Sequence, residues 1–400
     1  MLTSLAYIFL AGLAMAAACQ KLKLPRIIGM LVTGIILGPY VLNLLDPSIL
    51  SVSSDLRQMA LIIILLKAGL SLDLSDLKRV GRPAVMMSCV PAGIEIIAFF
   101  IIAPRFFGIT GIEAAVMGAV MGAVSPAVVI PRMSALMETG YGTDKSIPQL
   151  IMAGASCDDI FVIVLFSTFV SMAQGGSARL MDFVSIPVSI VLGVAVGAVA
   201  GLCLGAFFET ARGHENSIRN STKVVVILGV SFMLMAVETW SDGLVSGLLA
   251  VVSMACSLKI KCGASVTARL SEKFGKLWIA AEVILFVLVG AAVDIRYTME
   301  AGGAAVIMIL TALLFRSLGV FICMLGTQLN WKERMFCIIA YLPKATVQAA
   351  IGSVPLAMGL PCGRLVLSVS VLGILITAPM GAIGMDMTYR KLLSKEDVKK

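Results

Sequence analysis

The chain is organised as long apolar blocks separated by short polar clusters. A block of about 20 apolar residues is long enough to cross a bilayer as a helix. Thirteen such spans are predicted, with limits near 2–20, 25–44, 56–72, 83–103, 109–135, 147–173, 183–208, 221–238, 242–258, 277–293, 303–327, 333–356 and 363–386. No stretch reads as a soluble domain, and the polar C-terminal tail (387–400) is short. The first block is apolar from its second residue, and the basic run KLKLPR follows it instead of preceding it. That order predicts a first membrane span with its N-terminus outside, not a secretory leader.

Composition turns this pattern into a class. The sequence is 59% hydrophobic and 14% charged, where a soluble globular protein carries about 25% charged residues. An all-α polytopic membrane protein is predicted. The formal net charge of +8 is a loop property and implies no nucleic acid. Loops after even-numbered spans hold only Arg57, Arg105, Arg179, Arg296 and Arg364; nearly all other Lys and Arg follow odd-numbered spans or lie in the tail. Basic residues gather on the cytoplasmic side, so the C-terminus is expected in the cytoplasm of a cell-membrane protein. The nine cysteines form no CxxC pair and read as small buried hydrophobes. His214, alone in a polar loop, reads as a solvated residue. No cofactor is implied.

The spans repeat. A shift of 217 residues carries the first six onto spans eight to thirteen and leaves span seven (183–208) as a connector. Six spans and a connector reverse the second copy's entry side, which gives an inverted repeat of six-helix units, common in secondary transporters. The same shift carries Pro126 of "AVSPAVVIP" onto Pro343 of "AYLPKATVQ". Proline inside a helix removes a hydrogen bond and clashes with the preceding turn. Paired helix interruptions in two repeats point to a transporter's binding site; taken singly, each is an ordinary membrane-helix kink.

Charge inside the spans is sparse: Lys67, Glu95, Asp158, Asp159, Glu282, Arg316 and Lys344. Asp158 and Asp159 sit near the middle of span six, where an ionised carboxylate is expensive. Adjacent residues lie about 100° apart around a helix, so one acid can face a cavity while the other pairs within the bundle. Such a carboxyl can hold a proton or a small hard cation in turn. Lys344, beside the Pro343 break, can neutralise free helix carbonyls. Ser125, Ser156, Thr346 and Gln348 can supply neutral oxygens near the acids. Glu95 and Arg316 occupy related places in spans four and eleven, which makes a buried ion pair plausible. Glu282 reads as lying near the interface, and Lys67 as snorkelling.

"CDD", "SPAVV", "FRSLGV" and "LPKATVQAAIG" together resemble the monovalent cation:proton antiporters, in particular the NHA subgroup of sodium/proton exchangers, over essentially the whole chain. The resemblance implies a sodium/proton antiporter fold with two crossed broken helices, in a homodimer within membrane lipid. It implies a dimerisation domain (1–72 and 221–293) and a core ion-carrying domain (83–173 and 303–386). Na+ or Li+ would exchange for H+ by alternating access, with Asp159 as the shared site and Asp158 assisting or holding a salt bridge. Many electrogenic relatives carry a lysine where this chain has Arg316, and arginine does not release its proton; electroneutral exchange is therefore expected. The sequence leaves open whether Arg316 pairs with Glu95 or with Asp158. It also leaves open a K+/H+ antiporter or a sodium-coupled organic-anion carrier of the same fold. An intramembrane aspartyl protease is disfavoured, because its acids lie on separate helices and commonly within a GxGD motif, absent here.

Overall fold

A computed structural model describes residues 1–71, 81–174, 180–210, 219–241 and 244–395. His214 lies outside them, as does the end of the tail. Among the described residues the chain is helical, with one isolated antiparallel bridge between Tyr141 and Lys395. It divides into two compact units, one of Met1–Ser54, Asp73–Phe169 and Val283–Lys400, the other of Asp55–Leu72 and Val170–Glu282.

The first third contains α1 (Leu2–Lys21), α2 (Arg26–Leu37), α3 (Pro47–Ser51), α4 (Ser53–Ser71), α5 (Arg82–Met87), α6 (Val90–Phe107), α7 (Gly111–Gly122) and α8 (Pro126–Thr139). Next come α9 (Ile147–Gln174), α10 (Leu180–Thr210), α11 (Asn220–Trp240), α12 (Gly247–Lys261) and α13 (Ala264–Ala291). The chain ends with α14 (Ile295–Cys323), α15 (Trp331–Ala340), α16 (Thr346–Ile351), α17 (Val354–Ala357) and α18 (Gly363–Leu392). The helix of α18 carries the expected tail region onward as far as Leu392 before the backbone turns extended.

Nine helical stretches among the described residues are long and apolar enough to cross a membrane, so the protein is a multi-pass membrane protein. The other four expected spans differ for local reasons. The span expected at 25–44 holds a helix of only 12 residues, ended at Gly38, and the one at 242–258 a helix of 15 residues. The span at 56–72 falls in α4 as far as Ser71, where the described residues stop, and α4 carries Asp55, Arg57 and Lys67. The span at 333–356 is broken into α15, α16 and α17. Large apolar side chains such as Leu10, Val191, Leu314 and Met387 are exposed, as a lipid-facing surface requires.

In the larger unit, α6 packs against both α7 and α14, and α18 packs against α15 and α16. Two of these helices start alike. Thr110 accepts from the Glu113 N–H while Glu113 reaches back, and Asn330 and Glu333 do the same at α15. These reciprocal caps satisfy free N–H groups where the helices begin. Glu333 also receives Lys145 at 2.9 Å.

In the smaller unit, α10 lies along α12. Gly193, Gly197, Gly201 and Gly205 form one buried row on α10; the first faces the backbone of Ser246, the cap residue of α12, and the next two face that of Ala250 and Met254 within α12. Small residues at four-residue spacing let membrane helices approach this closely. A Cβ at Gly197 would overlap the Ala250 carbonyl, which is backbone and cannot rotate away. Gly197→Leu is therefore expected to cost at least about 3 kcal/mol, the top of the usual range for overpacking; thermal unfolding of the purified protein checks it. In the same unit Lys67, half-buried, lies within electrostatic reach of Glu282, so its charge has a counter-charge in addition to any reach toward the interface.

Candidate functional site

The two proline sites are true helix interruptions. Helix α7 stops at Gly122 and α8 starts at Pro126; α15 stops at Ala340 and α16 starts at Thr346. Residues 123–125 and 341–345 are not helical. Pro126 sits at the first position of α8, where its missing N–H costs nothing. The two interruptions touch: the Ser125 N–H donates to the Pro343 carbonyl at 2.8 Å. Gly381 on α18 leaves room for this, since a Cβ there would meet the Pro343 ring.

Every interrupted helix leaves carbonyls without intrahelical donors, and here side chains answer them one by one. At the end of α7, Lys344 Nζ donates to the Met121 carbonyl, Arg316 Nη1 to that of Gly122, and Gln348 Nε2 to that of Ala123, the last at 2.9 Å. At the end of α15, Arg316 Nε donates to the Tyr341 carbonyl at 2.8 Å. The Lys344 N–H is taken by the Thr377 hydroxyl of α18 at 2.9 Å. A helix C-terminus carries partial negative charge, so two cations placed between two such ends are where electrostatics favours them.

The same cations hold two acids. Arg316 Nη1 lies 2.9 Å from Glu95 and Nη2 lies 3.0 Å from Asp158. Lys344 Nζ lies 2.8 Å from the Glu95 carboxylate. All four side chains are fully buried. The alternative posed by the sequence, Glu95 or Asp158 for Arg316, resolves as both at once. A guanidinium has five donors in a planar fork, and this one spends them on two carboxylates and two backbone carbonyls. The Tyr341 ring lies alongside, 5.5 Å from the guanidinium carbon.

Asp158 also accepts the Val124 N–H at 2.8 Å. Asp159, on the next residue of α9, makes no hydrogen bond or ion pair among the described residues, although it is only 7% exposed. Its Oδ1 has no partner there, and the same holds for Asp158 Oδ1, Ser125 Oγ, Thr346 Oγ1 and Gln348 Oε1. The site therefore gathers Asp158, Asp159, Ser125, Pro126, Pro343, Lys344, Thr346, Glu95 and Arg316. The Ser156 side chain lies outside the described residues. The carbonyls of Met121, Gly122, Ala123 and Tyr341, the Val124 amide and Thr377 were not found by sequence reasoning.

Fold and site together define a membrane carrier: an all-helical multi-pass protein with paired helix interruptions around a buried ionic cluster. The family profile described as "Sodium/hydrogen exchanger, transmembrane" matches residues 5–388. Human sodium/hydrogen exchanger 9B2 is 35% identical over 382 residues, covering 93% of this chain and 70% of the relative. Human sodium/hydrogen exchanger 9B1 is 32% identical over 357 residues, covering 86% and 67%. The solved structure of the sodium proton antiporter MjNhaP1 from Methanocaldococcus jannaschii at pH 8 superposes with a TM-score of 0.81, covering 98% of this chain and 99% of that one at 20% identity. The chain belongs to the sodium/hydrogen exchanger family, whose members are transporters and not enzymes. The antiporter fold expected from sequence is the fold it has.

Proposed function

We propose that the protein exchanges Na+ or Li+ for H+ across the membrane by alternating access, with both ligands competing for Asp159. One observation carries this reading. Arg316 and Lys344 are matched by Glu95 and Asp158, so the buried cluster is neutral without Asp159. Asp159 is the acid left over, and a buried carboxylate needs a compensating positive charge or a proton. Either ligand supplies the same single charge, so only one is held at a time. The oxygens of Ser125 and Thr346 and the second oxygen of Asp158 would share the cation.

The neutral cluster also supports electroneutral one-for-one exchange. Arginine keeps its proton throughout, and Lys344 stays tied to Glu95 and a helix carbonyl. Asp159 then carries one charge in each direction. The same reading takes 1–72 and 221–293 as a dimerisation scaffold within membrane lipid, 83–173 and 303–386 as the moving core, and 183–208 as the connection. The interrupted helices would cross beside the acids. The protein would sit in the cell membrane with its N-terminus outside and its C-terminus in the cytoplasm.

The test uses purified protein in liposomes with an acid interior and a trapped pH dye. External Na+ or Li+ is expected to dissipate the proton gradient, at a rate unchanged when the membrane potential is clamped. A rate that follows the imposed potential would refute electroneutrality. A response to K+ alone would make the protein a K+/H+ antiporter, and dependence on an added organic anion would make it a sodium-coupled carrier.

A further inference from the structure

We propose that Gln348 sets which cation the centre accepts, by placing a fixed amide oxygen among the ligands; this rests on the reading of Asp159 as the cation site. Gln348 lies in the first turn of α16, directly after the interruption, and is fully buried. Its Nε2 donates to the Ala123 carbonyl at 2.9 Å. A carbonyl only accepts, so the NH2 end of the amide must face Ala123. The oxygen is thereby turned to the other side, where Gln348 Oε1 has no donor among the described residues. A buried acceptor left without a partner is costly, and an amide oxygen cannot relieve this by donating, as a hydroxyl can.

The anchor point matters as much as the oxygen. Ala123 is the first residue of the 123–125 interruption. Its neighbour Val124 gives its N–H to Asp158, and Ser125 gives its N–H to Pro343. The bond from Gln348 thus fixes the amide to the same short backbone stretch that orders Asp158 and presents the Ser125 hydroxyl. Among the cluster's buried oxygens that lack a hydrogen-bond partner within the described residues, five come from three elements: Ser125 from one interruption, Thr346 and Gln348 from the turn after the other, and Asp158 and Asp159 from α9. Hard cations take sets of oxygens, amide oxygens included, and discrimination follows the number of ligands and the rigidity of the cage. A tethered amide is the rigid member of this set. Free hydroxyl rotors adapt to ions of different radius; an oxygen held by its own amide nitrogen does not.

The experiment uses the full chain as wild type, Gln348→Met, Gln348→Asn and Asp159→Asn. Each is assayed in liposomes with Na+, Li+ and K+, and by thermal unfolding in detergent over a series of each chloride, with choline chloride as the ionic-strength control. Methionine keeps the volume and removes both amide groups. The half-maximal Na+ concentration is expected to rise about tenfold in Gln348→Met, the effect of one lost ligand among several. The maximal rate should stay within about twofold, because Asp159 still carries the charge. The Na+-dependent rise in unfolding temperature should move to higher Na+ by the same factor, and the Na+:Li+:K+ order should flatten. Gln348→Asn keeps the amide but is one methylene shorter, so it cannot both reach Ala123 and hold the oxygen in place; it is expected to change the cation order, and it carries the test if the methionine variant does not fold. A folded variant with unchanged half-maximal Na+ and unchanged cation order would show that Gln348 only staples the helices. In that outcome a wild-type Na+ response lost in Asp159→Asn leaves the Asp159 reading standing. A wild type with no cation-dependent stabilisation and no transport would overturn both.

Discussion

Asp159→Asn is expected to abolish Na+- and Li+-driven proton exchange while leaving a folded protein. The two halves of that expectation have one cause. Asp159 makes no ion pair or hydrogen bond among the described residues, so replacing its carboxylate by an amide breaks no direct contact there. A lone carboxylate buried at 7% exposure is itself unfavourable, and an amide of the same shape removes that charge. The unfolding temperature without cations should stay within about 2–4 °C of wild type, the shift that 1 kcal/mol brings in a domain of a couple of hundred residues. Transport is lost because an amide neither ionises nor offers a negative charge to a cation. Stabilisation by added Na+ should disappear with it. Wild-type exchange in the variant would sink the assignment. In wild type, competition predicts that half-maximal Na+ rises as pH falls, since each proton bound removes one site. Asp158→Asn is a different experiment. Asp158 holds Arg316 and the Val124 amide, so that variant should lose stability as well as transport.

The legible part of this site is the part carried by rare residues. A proline or an intramembrane acid stands out in an apolar block, and the 217-residue shift ties Pro126 to Pro343. Span limits were less legible, because hydropathy does not register a broken hydrogen-bond ladder. The stretch 333–356 reads as one span by hydropathy, yet it falls in three helices, α15, α16 and α17. The partners of Arg316 were framed as a choice between Glu95 and Asp158, since charges are counted in pairs; the geometry of one guanidinium serves both. Backbone carbonyls were the hardest to foresee. Every residue has one, and only the end of a helix makes Met121, Gly122 and Ala123 acceptors in need of a donor. Lys344 and Glu95 meet across 249 positions of sequence, a pairing that no local pattern encodes.

Arg316→Ala is expected to be the most destabilising single change in the core. Arg316 is fully buried and touches two carboxylates and two helix ends. Among the described residues, removing it leaves Asp158 hydrogen-bonded only to the Val124 N–H and Glu95 only to Lys344, and takes the side-chain donor from the Gly122 and Tyr341 carbonyls. Breaking a buried ion pair by deleting one partner costs about 3–5 kcal/mol, and two pairs are broken here together. A fall in unfolding temperature of about 10 °C or more, or no folded protein at all, is the expected result. Arg316→Lys separates charge from geometry. An ammonium restores the positive charge, but it is a compact group with three donors on a flexible stem and cannot reach four acceptors spread around a planar fork. The lysine variant should therefore recover only part of the loss. If it recovers all of it, charge alone holds the cluster and the fork geometry is incidental. If it folds and its transport now follows the membrane potential, the lysine is releasing a proton that arginine retains, and the electroneutral cycle proposed for the native protein would be set at this one position.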